Sequence, residues 1–111
     1  MVRFTLAIVS APGSVAMTAA AIRQLMSQVR RERGCLGAWA SADLLDPCRQ
    51  YYVEEWMTED DFIARLRSAR FQGLITLMEA AAEPPQVSVQ TVSHSYGFEY
   101  IETAIDGGQH Q

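Results

Sequence analysis

Residue patterns that mark most cofactor-dependent enzymes are missing from this sequence. Its two cysteines and two histidines form no Cys-x-x-Cys pair and no cluster of the kind that binds zinc. Its glycines are scattered, so no glycine-rich loop is present to cradle a phosphate. A Gly-x-Ser-x-Gly nucleophile motif is absent as well. We therefore expect neither a metal ion nor another cofactor.

Long runs of basic or apolar residues are also missing. Nine basic and thirteen acidic residues give a net charge of −4 with no basic run, which argues against a nucleic-acid partner. No apolar stretch approaches the ~20 residues of a membrane-spanning helix, so we expect no membrane partner. The run FTLAIVSA faintly resembles a signal peptide. It is short and alternates like a strand that the fold needs, so we expect it to be retained.

The two cysteines, Cys35 and Cys48, are too few for a disulfide framework. If residues 36 to 45 form a strand, the two thiols lie at its opposite ends, roughly 30 Å apart. A disulfide needs Cα atoms within about 7 Å of each other. We expect free thiols and a reducing, cytoplasmic location.

The most informative stretch is YYVEEWMTEDDFIARLRSARF, residues 51 to 71. Its first residues are strand formers. Thr58 is a good N-cap, and Asp61 three residues later resembles the acid of a capping box. Residues 59 to 61 are all acidic, as the first turn of a helix favours, and apolar residues then recur at helical spacing. The stretch predicts a strand, a tight turn and a helix.

Alternation, helical spacing and turn residues predict one domain over residues 1–105 and a flexible tail over 106–111. We predict strands over residues 2–10, 36–45, 50–57 and 87–92. We predict helices over 15–33, capped by Ser14 and stopped by Gly34, over 59–68, and from Phe71 to Ala82. The order is β-α-β-β-α-β, an α+β ferredoxin-like fold with an antiparallel sheet. Residues 94–105 are aromatic, and we expect them to pack on a surface.

The motif Glu54-x-Trp56, the acidic helix start and LRSARF resemble the antibiotic-biosynthesis monooxygenase family over roughly residues 2 to 93. The resemblance implies a dimeric α/β barrel that oxygenates a quinol or polyketide without a cofactor. Many members carry a histidine nine residues after the tryptophan and another just before the phenylalanine. Here those places hold Arg65 and Arg70. Haem-degrading relatives place a haem-ligating histidine where this chain has Ile75, so we expect no haem breakdown.

Glu54, Trp56 and Arg65 are the candidate catalytic residues. Glu54 shares a strand face with Tyr52 and Trp56, by the period of two. A buried carboxylate is costly unless it is paired. Glu54 is therefore either a base or the partner of an arginine such as Arg65, holding the helix on the sheet, and we favour the pairing. Arg65 could bind an anion, but a guanidinium cannot shuttle a proton near neutral pH.

A small aromatic substrate is the expected ligand. The resemblance favours Trp56 near it, because the family's tryptophan lies close to the substrate cleft. The further candidates for substrate contact are Trp39, Tyr52, Phe71 and His94. The alternative for the aromatic residues is packing in the sheet or in a dimer interface. A lone histidine just beyond the fourth strand is more often structural than catalytic.

Three functions remain open on the sequence alone. The first is a cofactor-free monooxygenase. The second is a non-catalytic dimeric domain that binds a small molecule or serves in a stress response. The third is an isomerase or cyclase with Glu54 as its base. In each case we expect a homodimer, because two helical stripes cover only one face of a four-stranded sheet, and the other face would expose a large apolar patch.

Overall fold

Four strands and four α-helices make up residues 1–107, the part of the chain that the computed structural model describes. The strands are β1 (Val2–Val9), β2 (Cys35–Ala42), β3 (Arg49–Trp56) and β4 (Gln86–Thr91), and the helices are α1 (Val15–Val29), α2 (Glu59–Arg67), α3 (Phe71–Glu79) and α4 (Phe98–Ile105). The sheet order is β2-β3-β1-β4, with antiparallel neighbours throughout. This order confirms the predicted α+β, ferredoxin-like arrangement, to which α4 is added.

The core lies between one face of this sheet and the helices α1, α2 and α3. Strand β1 alternates as predicted, and its four even-numbered residues are buried. The Phe4 ring is at the centre of an aromatic cluster, because its centroid lies 6.0 to 6.5 Å from those of Tyr52, Phe62 and Phe71. Such pairs add to the stabilisation that burial of the rings already gives. The helices are therefore fixed on the sheet near the middle of β3.

Helix α1 ends four residues earlier than predicted. After Val29 the sequence Arg-Arg-Glu-Arg offers no apolar side chain to continue the buried stripe, and Arg30 instead donates two hydrogen bonds to the carbonyl of Ala38. Gly34 has a φ of +82°, so it turns the chain into β2 rather than capping the helix directly. The predicted cap at Ser14 is wrong, because this residue ends a short 3-10 turn and its side chain makes no capping bond.

The cap of α2 is confirmed. The Thr58 hydroxyl oxygen accepts a hydrogen bond from the backbone N–H of Asp61 at 3.1 Å. The helix then stops after Arg67, since Ser68 is extended and donates its hydroxyl to the carbonyl of Arg65. This break separates α2 from α3, as the two successive helical stripes in the sequence predicted.

The predicted hairpin of β2 and β3 is confirmed, with a register irregularity between Cys35 and Gly37. Its turn is held by Asp43, whose Oδ1 accepts the N–H groups of Leu45 and Asp46 and whose Oδ2 accepts the Tyr51 hydroxyl. The two cysteines are free and lie at opposite ends of this hairpin. β2 is three residues shorter than predicted at its C-terminal end, because this turn begins at Asp43.

Among residues 1–107, no helix covers the second face of the sheet. Trp39 lies on it, 49% exposed, with its ring over Gly37, where an added Cβ would come within 2.5 Å of the indole. The edge strand β4 is exposed along its whole length. The sheet is therefore open within a single chain, and a barrel needs a second copy.

The C-terminal segment extends away from the domain. All residues of α4 are exposed, so the prediction that residues 94–105 pack is not met within one chain. The radius of gyration is 16.5 Å, where about 13 Å is expected for a globular domain of this length. Of the predicted flexible tail, residues 108–111 lie outside the described part of the chain. Among residues 1–107, none of the helices is long and apolar enough to cross a membrane.

Candidate functional site

A network of buried polar side chains lies on the helix-covered face of β3. Tyr52, Glu54 and Trp56 alternate along the strand, so all three point into the core, as the period of two predicted. The Glu54 residue is 0% exposed. A carboxylate in this position has to find hydrogen-bond donors inside the protein.

Four donors surround the Glu54 carboxylate. The Tyr52 hydroxyl donates to Oε2 at 2.6 Å, and the Trp56 indole N–H donates to Oε1 at 3.0 Å. Arg65 donates from Nη2 to Oε2 at 2.9 Å and from Nε to Oε1 at 3.3 Å. The predicted pairing of Glu54 with Arg65 is thus confirmed, and it ties α2 to the sheet.

Arg65 is buried as well, and it has two further contacts. Its guanidinium carbon lies 5.2 Å from the centre of the Phe71 ring, and its Nη1 is 3.7 Å from the Glu32 carboxylate. Burial alone would lower the pKa of Arg65. The hydrogen bond and the charge of Glu54 outweigh burial, so the net pKa is raised and the guanidinium stays charged.

Tyr52 is held in its neutral form. Burial raises the pKa of its hydroxyl far above the ordinary value, and the negative charge of Glu54 raises it further. The hydroxyl therefore acts as a hydrogen-bond donor and not as an ionised group. Glu54 has no free lone pair facing solvent, which leaves the carboxylate suited to holding its neighbours in place.

A cleft of about 280 Å³ adjoins this network at the end of the sheet where β3 finishes. Its lining consists of Glu32, Arg33, Trp56, Asp61, Ala64, Arg65 and Ser68. Trp56 and Arg65 belong both to the cleft and to the network, whereas Glu54 and Tyr52 lie behind them. The volume is at the lower end of the range of small-molecule sites and suits a ligand of one ring.

A second cleft, of about 290 Å³, lies between α1 and β2. It exists because β2 presents only alanines to α1 there, namely Ala40 and Ala42. Its polar residues include Arg23 and Gln50, and the Gln50 amide is already bonded to the carbonyl of Val15. None of the residues predicted for the site lies in this cleft.

Five of the seven predicted site residues meet in one place, and two do not. The first group consists of Tyr52, Glu54, Trp56, Arg65 and Phe71. Trp39 is on the opposite face of the sheet, so the idea that Trp39 and Trp56 line one pocket is wrong within a chain. His94 lies exposed beyond β4, with its ring stacked on Tyr96 at 6.3 Å.

Five of the seven residues that line the cleft were not among the predicted site residues. Glu32 and Arg33 were assigned to a helix, yet they lie in the turn after α1 and form the rim. Asp61 had been noted only for its place in the cap of α2. Within residues 1–107, Arg33 has no ion-pair partner. A charged turn between a helix and a strand was the one available signal for these two residues.

No metal site emerges from this arrangement. Among residues 1–107, no group of three or more histidine, cysteine, aspartate or glutamate side chains is placed to hold an ion. The residues of the cleft are instead two cations and two carboxylates around an apolar floor, which is a lining for an organic molecule with a polar edge.

Comparison with known proteins assigns the chain to a family. A search of curated proteins finds no match. The family model for antibiotic biosynthesis monooxygenase matches residues 1–76. A candidate antibiotic biosynthesis monooxygenase from Bordetella bronchiseptica is 30% identical, with a TM-score of 0.69 over 84% of this chain and 97% of its own. One from Deinococcus radiodurans is 17% identical, with a TM-score of 0.79 over 87% of this chain and 97% of its own. The chain belongs to the antibiotic biosynthesis monooxygenase family.

Proposed function

We propose that this protein is a cofactor-independent monooxygenase that acts on an electron-rich phenol or hydroquinone as a homodimer. The observation that carries the proposal is the cleft beside the Glu54 network in a chain of this family. The cleft combines an apolar floor with two cations and two carboxylates, and one of the cations, Arg33, lies at the rim without an ion-pair partner among residues 1–107. That combination suits an aromatic ring that bears one ionisable oxygen.

The proposed reaction needs no external reductant. The substrate phenol loses a proton to water, and its anion gives one electron to dioxygen. The phenoxyl radical and superoxide then join through a new bond between a ring carbon and oxygen, and the resulting peroxide anion takes a proton back from water to give a hydroperoxide. Loss of water from the hydroperoxide leaves a quinone. The substrate thus supplies all four electrons, one oxygen atom stays in the quinone, and the other leaves as water.

In this scheme the residues position the substrate and stabilise charge. Arg33, which has no ion-pair partner among the described residues, would bind the phenolate oxygen at the rim. Arg65 would add a fixed positive field from below, although Glu54 and Glu32 already balance much of its charge. Trp56 would form the wall against which the ring lies. Tyr52, Glu54 and Phe71 would hold Trp56 and Arg65 in place from behind.

The homodimer would form through the open sheet faces. Trp39 and the alternate residues of β1 and β3 lie on that face without a helix over them. Trp39 would then pack across the interface. Sedimentation equilibrium at micromolar concentration should give twice the 12.3 kDa mass of the chain. A mass that stays at one chain on concentrating would rule this assembly out.

The activity is tested by oxygen uptake with a panel of hydroquinones and single-ring phenols. Labelled dioxygen should place one oxygen-18 atom in each quinone and the other in water. Arg33→Ala should raise KM about tenfold, equal to the loss of roughly 1.4 kcal/mol of binding. The matched control is Arg67→Ala, an exposed arginine of α2 that does not line the cleft. Oxygen uptake that is absent, or equally affected by both variants, would refute the proposal.

A second candidate function is binding without turnover. The observation in its favour is the complete hydrogen bonding of Glu54, which leaves that carboxylate no free position to accept a substrate proton. The same observation disfavours an isomerase that uses Glu54 as its base. Ligand binding measured by calorimetry, with no oxygen consumed and the ligand recovered unchanged, would select the binding function.

A further inference from the structure

We propose that the C-terminal segment of one chain, residues 94–105, lies across the second chain of the dimer and covers the mouth of its cleft. The inference rests on the proposed homodimer, and it adds residues of the partner to the site. Four observations support it: the apolar arc of α4, its isolation in the single chain, the end of the sheet from which it leaves, and the area that a stable dimer needs.

Helix α4 has one apolar side. Phe98, Ile101 and Ile105 recur at positions that share one side of a helix, and all three are exposed. Glu102, four residues after Phe98, borders that side, whereas Glu99 and Thr103 lie away from it. The loop before the helix adds Tyr96, which contacts the Tyr100 ring at 5.1 Å. An isolated helix of eight residues is marginal in water, so this helix needs a surface to pack against.

The segment leaves the domain at the same end of the sheet as the cleft. The backbone N–H of Val92 donates to the carbonyl of Met1, and Val2 pairs with Thr91 on one side and with Trp56 on the other. Within one chain, β4 and the cleft are on opposite sides of β1. A two-fold axis parallel to the strands would bring the β4 edge of one chain beside the β2 edge of its partner, with like ends together.

The surface beside the cleft suits the apolar arc. Leu36 and Met57 flank the ends of β2 and β3 there and are 50% and 60% exposed. At the opposite end of the sheet, β4 begins after Glu83-Pro84-Pro85, and the exposed Leu44 and Leu45 belong to the turn after β2, at the other edge of the sheet from β4. The arrangement in which like ends meet is the one that places the arc against Leu36 and Met57, beside the cleft.

The area of the sheets alone falls short of a stable dimer. Four strands about 4.8 Å apart, with about eight residues each, give an open face of about 500 Å², or about 1,000 Å² for two chains. Stable specific interfaces bury about 1,200–2,000 Å² in total. An α4 about 12 Å long and 10 Å wide, docked twice, adds about 500 Å² when both sides of each contact are counted. The sum then falls within the stable range.

The thiol of Cys35 reports on this surface, because it pairs with Trp56 at the end of β2 and is half-buried. A reporter chain carries Cys48→Ser, and its alkylation by iodoacetamide is followed at fixed pH. A second reporter adds Phe98→Gln, Ile101→Gln and Ile105→Gln, which change only the apolar arc. The control has Glu99→Gln and Thr103→Gln instead, two exposed positions that lie away from the arc. Cys48, measured in a Cys35→Ser chain, reports on the opposite end.

We expect the three arc substitutions to speed alkylation of Cys35 about tenfold, if the docked segment is open about a tenth of the time. The alkylation rate of Cys35 in the control variant and the alkylation rate of Cys48 should not change. Adding an excess of chains that lack both cysteines but keep the natural arc should restore protection, because their segments reach the reporter in mixed dimers.

The possible outcomes distinguish this inference from the proposed homodimer and the proposed oxygenase activity. If the protein is a dimer and the arc substitutions leave the alkylation rate of Cys35 unchanged, the inference is overturned. Faster alkylation that mixing does not reverse would show that the segment covers its own chain, which also overturns it. A faster alkylation of Cys48 instead of Cys35 would place the segment at the opposite end of the sheet from the cleft, which also overturns the inference. A monomer in sedimentation would reject the homodimer itself, and oxygen uptake is measured in none of these steps.

Discussion

Replacing Arg65 by methionine should remove a large part of this protein's free energy of unfolding. The substitution keeps an unbranched apolar chain in the core, but it removes the guanidinium that contacts Phe71. Among residues 1–107, that guanidinium is also the only cation paired with the buried Glu54 carboxylate. Two of the four donors to that carboxylate disappear with it. Tyr52 and Trp56 remain as neutral donors, which cannot balance the charge.

The magnitude follows from burial. The side chains of Arg65 and Glu54 are 2% and 0% exposed, so solvent screens neither of them. Removal of one partner from such a pair typically costs about 3–5 kcal/mol. With an m-value of about 1–2 kcal/mol/M in urea for a chain of this size, the midpoint should fall by about 1.5–5 M.

The assay is urea unfolding followed by circular dichroism at one protein concentration, because the stability of the proposed dimer would depend on concentration. Arg3→Met is the matched control. Arg3 also forms an ion pair, with Glu55 at 2.7 Å, but its side chain is 38% exposed. That pair should contribute no more than about 1 kcal/mol.

A double variant tests the cause. Glu54→Gln removes the buried charge that Arg65→Met leaves behind, so the double variant should be more stable than Arg65→Met alone. If Arg65→Met costs no more than Arg3→Met, Glu54 is not a buried charge held by Arg65, and the description of the network is wrong.

Further predictions concern ionisation, the tryptophans, the thiols and the spectrum. The pKa of Tyr52 is raised by burial and by Glu54, so its contribution to stability is complete below pH ~10 and is lost as the pH rises above that value. Tyr52→Phe should flatten this alkaline loss in denaturant midpoints, and an unchanged pH profile would contradict it. Trp56→Ala should cost about 3–5 kcal/mol and weaken aromatic-ligand binding more than Trp39→Ala does; equal losses in calorimetry would favour packing roles for both. Both cysteines should titrate as thiols in denaturant without reductant, and a titre of zero would mean that they are bridged. The purified protein should show no visible absorption band and no stoichiometric metal, and a bound chromophore would contradict the cofactor-free scheme.

The buried faces of β1 and β3 could be predicted from sequence because alternation is local. The period of two placed Tyr52, Glu54 and Trp56 on one side of β3, and the cost of a buried carboxylate then required a cation such as Arg65. Nothing beyond neighbouring residues and one electrostatic rule was needed. The capping of α2 by Thr58 was predictable for the same reason.

The cleft could not be predicted in the same way. Glu32 and Arg33 reach it only because α1 ends at Val29, and that end depends on Arg30 finding the carbonyl of Ala38 across the fold. The side of the sheet that Trp39 occupies was likewise hidden, since the register irregularity near Gly37 shifts the alternation of β2. Both features depend on contacts between distant parts of the chain.

The meeting of four donors on Glu54 also limits how this chain can change over generations. Each of Tyr52, Trp56 and Arg65 donates to the same two oxygen atoms, so the loss of any one leaves the others with a carboxylate they cannot satisfy. Single substitutions at these positions are therefore destabilising and should be removed by selection. Replacements should arise together, with a smaller or neutral acceptor at 54 accompanied by an uncharged residue at 65. In a deep mutational scan, folded protein should accordingly be recovered for paired changes at these sites whose single changes are lost.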